Sequence, residues 1–166
     1  MASVTFKGNP MTLVGNEVKV GESAPDFTVL ANDLSEVKLS DNKGTVRLIS
    51  VVPSVDTGVC AAQTKRFNDE IGKLGDVSVL TISADLPFAQ ARWAQENGFN
   101  DAKIFSDHRD LSFGEAYGVI MKELRLLARS VFVIDSNDKV VYAEYVAEGT
   151  NHPDYDKALE AAKQAK

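Results

Sequence analysis

The sequence predicts one α/β domain over residues 1–166, with a mixed central sheet flanked by helices and an N-terminal β-hairpin. Strand-like and helix-like segments alternate in the order β-α-β-α-β, which is typical of parallel strands joined by helical crossovers. A later β-hairpin adds antiparallel strands, and an amphipathic helix ends the pattern. No internal repeat, low-complexity tract or linker divides the chain, and its length suits a single hydrophobic core.

Short strands dominate the first third of the chain. Four segments predict them: residues 4–6, 11–14, 26–30 and 36–39. The first two flank a turn cluster at residues 8–10, so they predict a hairpin over residues 3–15. Residues 47–52 form a nearly continuous apolar run ended by Pro53, which is typical of a strand covered on both faces.

The helices are marked by their start and stop residues. Asp56 or Thr57 caps the first helix and Gly75 stops it, while Pro87 opens the second, which closes near Gly98. The other predicted segments are strands at 77–83 and 103–106, a short helix at 111–117, a hairpin of strands at 130–135 and 139–145, and a helix from Tyr155 to the end.

Composition excludes several classes of function. The chain has 18 basic and 24 acidic residues and a net charge of −6, so no basic stripe is available to bind nucleic acid. No apolar stretch approaches the ~20 residues that span a bilayer, so we expect no membrane partner. The N-terminus does not resemble a signal peptide, and the single cysteine cannot form an internal disulfide. These features predict a cytoplasmic protein.

No cofactor is expected either. His108 and His152 lie far apart in the sequence and have no metal-type spacing, so we interpret both as surface residues. The chain contains no glycine-rich phosphate loop, so the sequence predicts no nucleotide cofactor.

Cys60 is the strongest candidate for chemistry. It follows the buried strand that ends at Pro53, and it lies in the first turn of the next helix. Helix N-termini favour thiolates, and ligands of open α/β sheets bind where a strand meets such a helix. The competing interpretation is a small buried hydrophobic residue, the commoner role of a lone cysteine.

Four stretches carry a resemblance to a known family. Pro53, Thr57 and Cys60 fit the pattern Pro-x-x-x-Thr-x-x-Cys, which resembles the active-site motif of the peroxiredoxins. The similarity extends along the chain and is closest to the thiol peroxidase subfamily. It is carried by residues 50–60, 83–90, 113–119 and 126–133. The resemblance implies a thioredoxin-like fold and a hydroperoxide reductase that uses thiols.

The resemblance also implies a role for each site residue. Cys60 would attack the peroxide, and the hydroxyl of Thr57 would hold it. Pro53 would close the pocket against water, and Arg129 would stabilise the thiolate and the leaving oxygen. Simpler interpretations stay open: Thr57 as a plain helix cap, Pro53 as a strand terminator, and Arg129 in an ordinary salt bridge.

One position departs from the subfamily. Many of its members carry a resolving cysteine in an Arg-aromatic-Cys string, and that string here is Arg92-Trp93-Ala94. Either the chain is a natural one-cysteine form reduced by an outside thiol, or Ala94 replaces a cysteine by design. Gln95 also departs from the small residue that often follows, and this second difference favours the natural form.

The resemblance suggests partners as well. A hydroperoxide would be the substrate, thioredoxin or another thiol would be the reductant, and two chains would form a homodimer. The alternative function is a redox-sensing or binding module on the same fold, in which oxidation of Cys60 is the signal.

Overall fold

A seven-stranded mixed sheet organises the computed structural model, which describes residues 2–165. Met1 and Lys166 lie outside the described residues, so the two ends of the predicted domain and the last residue of the predicted final helix are not covered. The strands are β1 (Val4–Phe6), β2 (Asn9–Met11), β3 (Leu13–Val14), β4 (Thr28–Leu30), β5 (Glu36–Lys38), β6 (Val46–Val51), β7 (Val77–Ser83), β8 (Ile104–Ser106), β9 (Ile120–Met121), β10 (Leu126–Leu127), β11 (Ser130–Ile134) and β12 (Val140–Tyr145). The helices are α1 (Gly58–Gly72), α2 (Pro87–Asn97), α3 (Ser112–Tyr117) and α4 (Tyr155–Gln164), with a short 3-10 helix at Leu39–Asn42.

The order of strands in the central sheet is β12-β11-β6-β7-β8-β4-β5. Strands β6, β7 and β8 run parallel, because α1 and α2 carry the chain back between them. Strand β11 is antiparallel to both β6 and β12, and β4 is antiparallel to both β8 and β5. The predicted mixed sheet is therefore confirmed.

Strand β6 lies at the centre of the molecule, and all six of its residues are buried. Its side chains alternate between two cores, as the twofold period of a strand requires. Leu48 faces α1 and α4, where it joins the cluster that contains Phe67, while Ile49 faces a larger core around Phe113 and Phe132. The sheet is thus covered on both faces, as the apolar run predicted.

The N-terminal hairpin is present, but its turn differs from the prediction. The pairing of Phe6 with Asn9 leaves Lys7 and Gly8 as a two-residue turn, with φ angles of 52° and 80°. A turn with positive φ at both residues matches the right-handed twist of the paired strands, so Asn9 and Pro10 become strand residues. Strand β3 leaves the hairpin and pairs with β9.

Several element limits also differ. Helix α1 ends at Gly72, and Gly75 takes the left-handed conformation in the turn that follows, so it ends the turn rather than the helix. Leu111, at φ 51°, precedes α3 instead of opening it. Sequence periodicity missed β9 and β10, since two-residue strands are too short to show a period. Pro87 and Gly98 bound α2 as predicted.

Candidate active site

The loop between β6 and α1 carries the candidate nucleophile. Pro53 is buried two residues after the end of β6, and Thr57 is the N-cap of α1. An N-cap hydroxyl accepts one of the unpaired backbone N–H groups at a helix start, which explains why the helix begins at Gly58. Cys60 is therefore the third residue of α1, in the first turn as predicted.

Asp85 holds this loop in place, and sequence reasoning gave it no role. Its carboxylate accepts hydrogen bonds from Ser54 Oγ at 2.8 Å, Val55 N–H at 2.9 Å and Ser83 Oγ at 2.6 Å. Asp85 follows β7, the parallel neighbour of β6, so the carboxyl ends of both strands meet here. The available signal in the sequence was an acidic residue two positions after a buried strand.

Cys60 is fully buried, with none of its surface exposed. Its side chain lies in an apolar cluster with Val52, Val55, Trp93, Ala94 and Ile104. Its backbone N–H donates to Thr57 Oγ1 at 3.3 Å, and that hydroxyl lies 3.4 Å from Ser54 O, to which it donates. The structure thus places Thr57 beside Cys60 and shows it acting as a helix cap.

Arg129 contacts the Cys60 thiol directly. Its Nη2 lies 3.2 Å from Cys60 Sγ, and the side chain is only 2% exposed. The register explains the approach: Ser130 pairs with Val51, so the preceding residue, Arg129, lies level with the loop that follows β6. Among residues 2–165, no carboxylate comes within 4.0 Å of this guanidinium, so the salt-bridge interpretation is not supported.

Two other acceptors orient Arg129. Nη1 donates to Gln63 Oε1 at 3.0 Å, and Nε donates to the backbone carbonyl of Gly149 at 2.9 Å. Gln63 is fully buried and is itself held by Ser50 Oγ, to which its Nε2 donates at 2.9 Å. Sequence reasoning missed Gln63, although a buried amide three residues after Cys60 lies on the same helix face. The planar guanidinium of Arg129 therefore donates to three acceptors: the Gln63 amide oxygen, the Gly149 carbonyl oxygen and the Cys60 sulfur.

Ala94 occupies the position where the subfamily resemblance places a second thiol. It lies on α2, is 3% exposed and belongs to the same apolar cluster as Cys60. Trp93, the neighbouring residue, stacks on Phe99 with 5.9 Å between ring centroids. A methyl group packs in this cluster but supplies no redox chemistry.

An aromatic side chain borders the site on the α4 side. Tyr155 packs edge-on against Phe67, the guanidinium of Arg66 lies 4.4 Å from its ring centroid, and its hydroxyl lies 2.7 Å from His152 Nδ1. Burial raises the pKa of the Tyr155 hydroxyl, while the positive charges of Arg129 and Arg66 oppose the shift. The neutral phenol is therefore the form that borders the site.

No second chemical centre is evident in the part of the chain that the structure describes. Within residues 2–165, no group of three or more His, Cys, Asp or Glu side chains could hold a metal ion. His108 and His152 are exposed, as expected. None of the described helices is both long and apolar enough to cross a membrane.

Comparison with known proteins places this geometry in a family. The Redoxin family pattern matches residues 19–159. The chain belongs to the redoxin family. It is 71% identical to a thiol peroxidase of Halalkalibacterium halodurans, with 99% of each chain covered. It is also 70% identical to a thiol peroxidase of Bacillus subtilis, with 98% of each covered. The expected peroxiredoxin-type thiol peroxidase is confirmed.

Solved redoxin structures agree with the fold. A peroxiredoxin-like protein from Aquifex aeolicus superposes with a TM-score of 0.93 at 40% identity, covering 100% of this chain and 98% of that one. A thiol peroxidase from Chromobacterium violaceum gives a TM-score of 0.87 at 21% identity, covering 99% and 98%. At that identity the second match shows the fold alone. The predicted thioredoxin-like fold is therefore confirmed.

Proposed function

We propose that this redoxin reduces hydrogen peroxide and organic hydroperoxides through a sulfenic acid on Cys60. The observation that carries the proposal is the 3.2 Å contact between Arg129 Nη2 and Cys60 Sγ. Arg129 has no carboxylate partner among residues 2–165, so a Cys60 thiolate would balance its buried charge. The contact also places a donor where the oxygen of a bound peroxide gains charge.

The chemical step balances without a cofactor. The Cys60 thiolate attacks the terminal oxygen of a hydroperoxide, an S–O bond forms, and the O–O bond breaks. The electron pair leaves on the second oxygen, which takes up a proton to become an alcohol, or water when the substrate is hydrogen peroxide. The sulfur is oxidised to the sulfenic acid and the peroxide is reduced.

Thr57 and Pro53 have distinct roles in this proposal. The Thr57 hydroxyl is exposed and adjacent to Cys60, so it can turn from capping α1 to holding a peroxide oxygen. Pro53 is buried and offers no N–H, and we assign it the exclusion of water from the thiol. Both residues act on the substrate side, whereas Arg129 acts from the strand side.

Recycling depends on a thiol from outside the chain. Cys60 is the only cysteine, so its sulfenic acid cannot form an internal disulfide. One external thiol condenses with the sulfenic acid and releases water, and a second thiol then reduces the mixed disulfide. Thioredoxin, the reductant suggested by the two-cysteine relatives, is our first candidate. Because Cys60 is fully buried, a protein reductant requires the first turn of α1 to open.

A homodimer and a cytoplasmic location complete the proposal. Leu86 and Phe88 are 52% and 65% exposed on either side of Pro87, next to the loop that Asp85 holds. Large exposed apolar side chains at such a place support a contact between two copies. Turnover by external thiols requires a reducing compartment, which supports the cytoplasm. The net charge of −6 supports a partner other than nucleic acid.

Mass spectrometry of Cys60 after one equivalent of hydrogen peroxide tests the function. We expect a sulfenic acid, trapped by dimedone, within milliseconds of mixing, and none in Cys60→Ser. Peroxide consumption with excess dithiothreitol should continue for many turnovers. If Cys60 reacts with peroxide no faster than free cysteine does, peroxidase activity is refuted and the sensing function becomes the better explanation.

A further inference from the structure

We propose that Glu148 is a positioning residue for the peroxidase reaction: it clamps the N-terminal hairpin onto the loop whose carbonyl group holds Arg129 against Cys60. The inference rests on the proposed function. Glu148 lies in the segment between β12 and α4, a region that no sequence motif singled out. Its carboxylate does not contact the reacting sulfur, so its effect must pass through Arg129.

The Glu148 carboxylate accepts five hydrogen bonds. Oε1 accepts from Thr5 Oγ1 and from the Gly8 N–H, each at 2.8 Å. Oε2 accepts from the Lys7 N–H at 3.2 Å, from the Thr150 N–H at 2.7 Å and from Thr150 Oγ1 at 2.6 Å. These bonds, led by those from Thr150, lower the pKa of Glu148 to about 2. The group is therefore anionic at any pH where the protein works.

Backbone hydrogen bonds also connect the N-terminal hairpin to Gly149, the residue after Glu148. The Thr5 N–H donates to Ala147 O and the Gly149 N–H donates to Thr5 O, each at 2.8 Å, so β1 and the loop pair locally. Gly149 has no room for a side chain, since a Cβ there would lie 2.6 Å from Phe6 Cδ2. The hairpin thus sets the position of the Gly149 peptide from two sides.

Gly149 transmits this position to the active site. Its carbonyl oxygen accepts the Nε–H of Arg129 at 2.9 Å, and the same guanidinium places Nη2 3.2 Å from Cys60 Sγ. A planar guanidinium has one orientation that satisfies three acceptors at once, so displacing the Gly149 carbonyl rotates the donor away from sulfur. Misplacement of a catalytic group by about an ångström can lower a rate about a hundredfold.

Glu148→Gln tests the clamp without changing size. An amide replaces one carboxylate oxygen by an NH2 group, which cannot accept from a backbone N–H, so at least one of the five bonds is lost. We expect the second-order rate constant for oxidation of Cys60 by hydrogen peroxide to fall about tenfold. Stopped-flow fluorescence of Trp93, the only tryptophan, which packs in the Cys60 cluster, reports the rate.

Glu123→Gln is the matched control. Glu123 also accepts two hydrogen bonds at the N-terminal segment, from Thr12 N–H at 2.8 Å and Thr12 Oγ1 at 2.7 Å, and it has no bonded connection to Arg129. We expect a similar small loss of thermal stability and an unchanged rate. Thr5→Val removes one bond to Glu148 and should slow the reaction, whereas Thr5→Ser restores it.

A double-mutant cycle separates positioning from general destabilisation. With Arg129 already replaced by alanine, Glu148→Gln should change the remaining rate by less than twofold. An equal tenfold loss in both backgrounds overturns the inference, as does a wild-type rate in folded Glu148→Gln. If that variant does not fold, the comparison of Thr5→Val with Thr5→Ser decides, and equal rates for these two overturn the inference. A wild-type protein no faster than free cysteine would instead refute the proposed function.

Discussion

Arg129 and Cys60 are 69 positions apart in the sequence, yet Nη2 of one lies 3.2 Å from Sγ of the other. The pairing of β11 with β6 brings them together, because Ser130 lies opposite Val51. The Arg129 guanidinium approaches the sulfur from the start of β11, whereas the sulfur itself is carried by the first turn of α1. The thiol is therefore held between two segments that are distant in the sequence and adjacent in the sheet.

Arg129→Lys should lower the rate of Cys60 oxidation about a hundredfold although the positive charge is kept. A single ammonium cannot reach Gly149 O, Gln63 Oε1 and the sulfur together, as the guanidinium does. Stopped-flow fluorescence with hydrogen peroxide measures the rate. Arg109→Lys, at an exposed ion pair with Glu36, is the matched control and should keep the wild-type rate. A wild-type rate in Arg129→Lys would mean that charge alone suffices.

Thr57→Asn should separate the two roles of Thr57. Asparagine caps helices as well as threonine does, so the free energy of unfolding should change by less than about 1 kcal/mol. It lacks the hydroxyl that we assign to the peroxide, so the oxidation rate of Cys60 should fall at least tenfold. Thr57→Ser keeps both functions and serves as the control. Full activity in Thr57→Asn would show that capping is the whole role of this residue.

Ala94→Cys should increase multiple turnover with thioredoxin. The new thiol lies in the Cys60 cluster and can resolve the sulfenic acid once the first turn of α1 opens. A thioredoxin-coupled assay of peroxide consumption measures turnover, and mass spectrometry detects the internal disulfide. Ala89→Cys, a half-buried position elsewhere on α2, is the control and should leave turnover unchanged. Equal turnover in wild type and Ala94→Cys would count against this account of recycling.

Asp107 should make stability depend on pH. Burial raises the pKa of its carboxyl from 3.8 to about 6, despite hydrogen bonds from the Phe113 and Gly114 N–H groups at 3.0 and 2.8 Å. The folded state therefore binds the proton more tightly than the unfolded state does. The stabilisation is complete below pH 3.8 and is lost as the pH rises through about 6.

Urea unfolding at pH 4.5 and 6.5 measures this dependence. The wild type should lose roughly 2 kcal/mol between the two values through Asp107, and Asp107→Asn should not show that loss. Asp33→Asn is the control, because the pKa of Asp33 is lowered and its titration falls below this range. The same pH slope in Asp107→Asn and wild type would contradict the assignment.

Much of the fold could be predicted because its signals are local. Pro53, Thr57, Pro87 and Gly98 each restrict the backbone through their own chemistry. The structure places helix boundaries at Thr57, Pro87 and Gly98, and it ends β6 two residues before Pro53. The predicted position of the N-terminal hairpin turn was wrong because local signals did not determine it. Several turn residues stand together there, and only the pairing of Phe6 with Asn9 selects Lys7 and Gly8.

The sequence by itself determined the chemistry available: one thiol at the start of a helix after a buried strand, with no second cysteine to resolve it. Only the tertiary structure decided what surrounds that thiol. Gln63, Gly149 and Glu148 carry no motif, because each acts through hydrogen bonds to segments that are distant in the sequence. Which atoms meet at Arg129 depends on strand register and on where the N-terminal hairpin docks, and both are set by packing between distant segments.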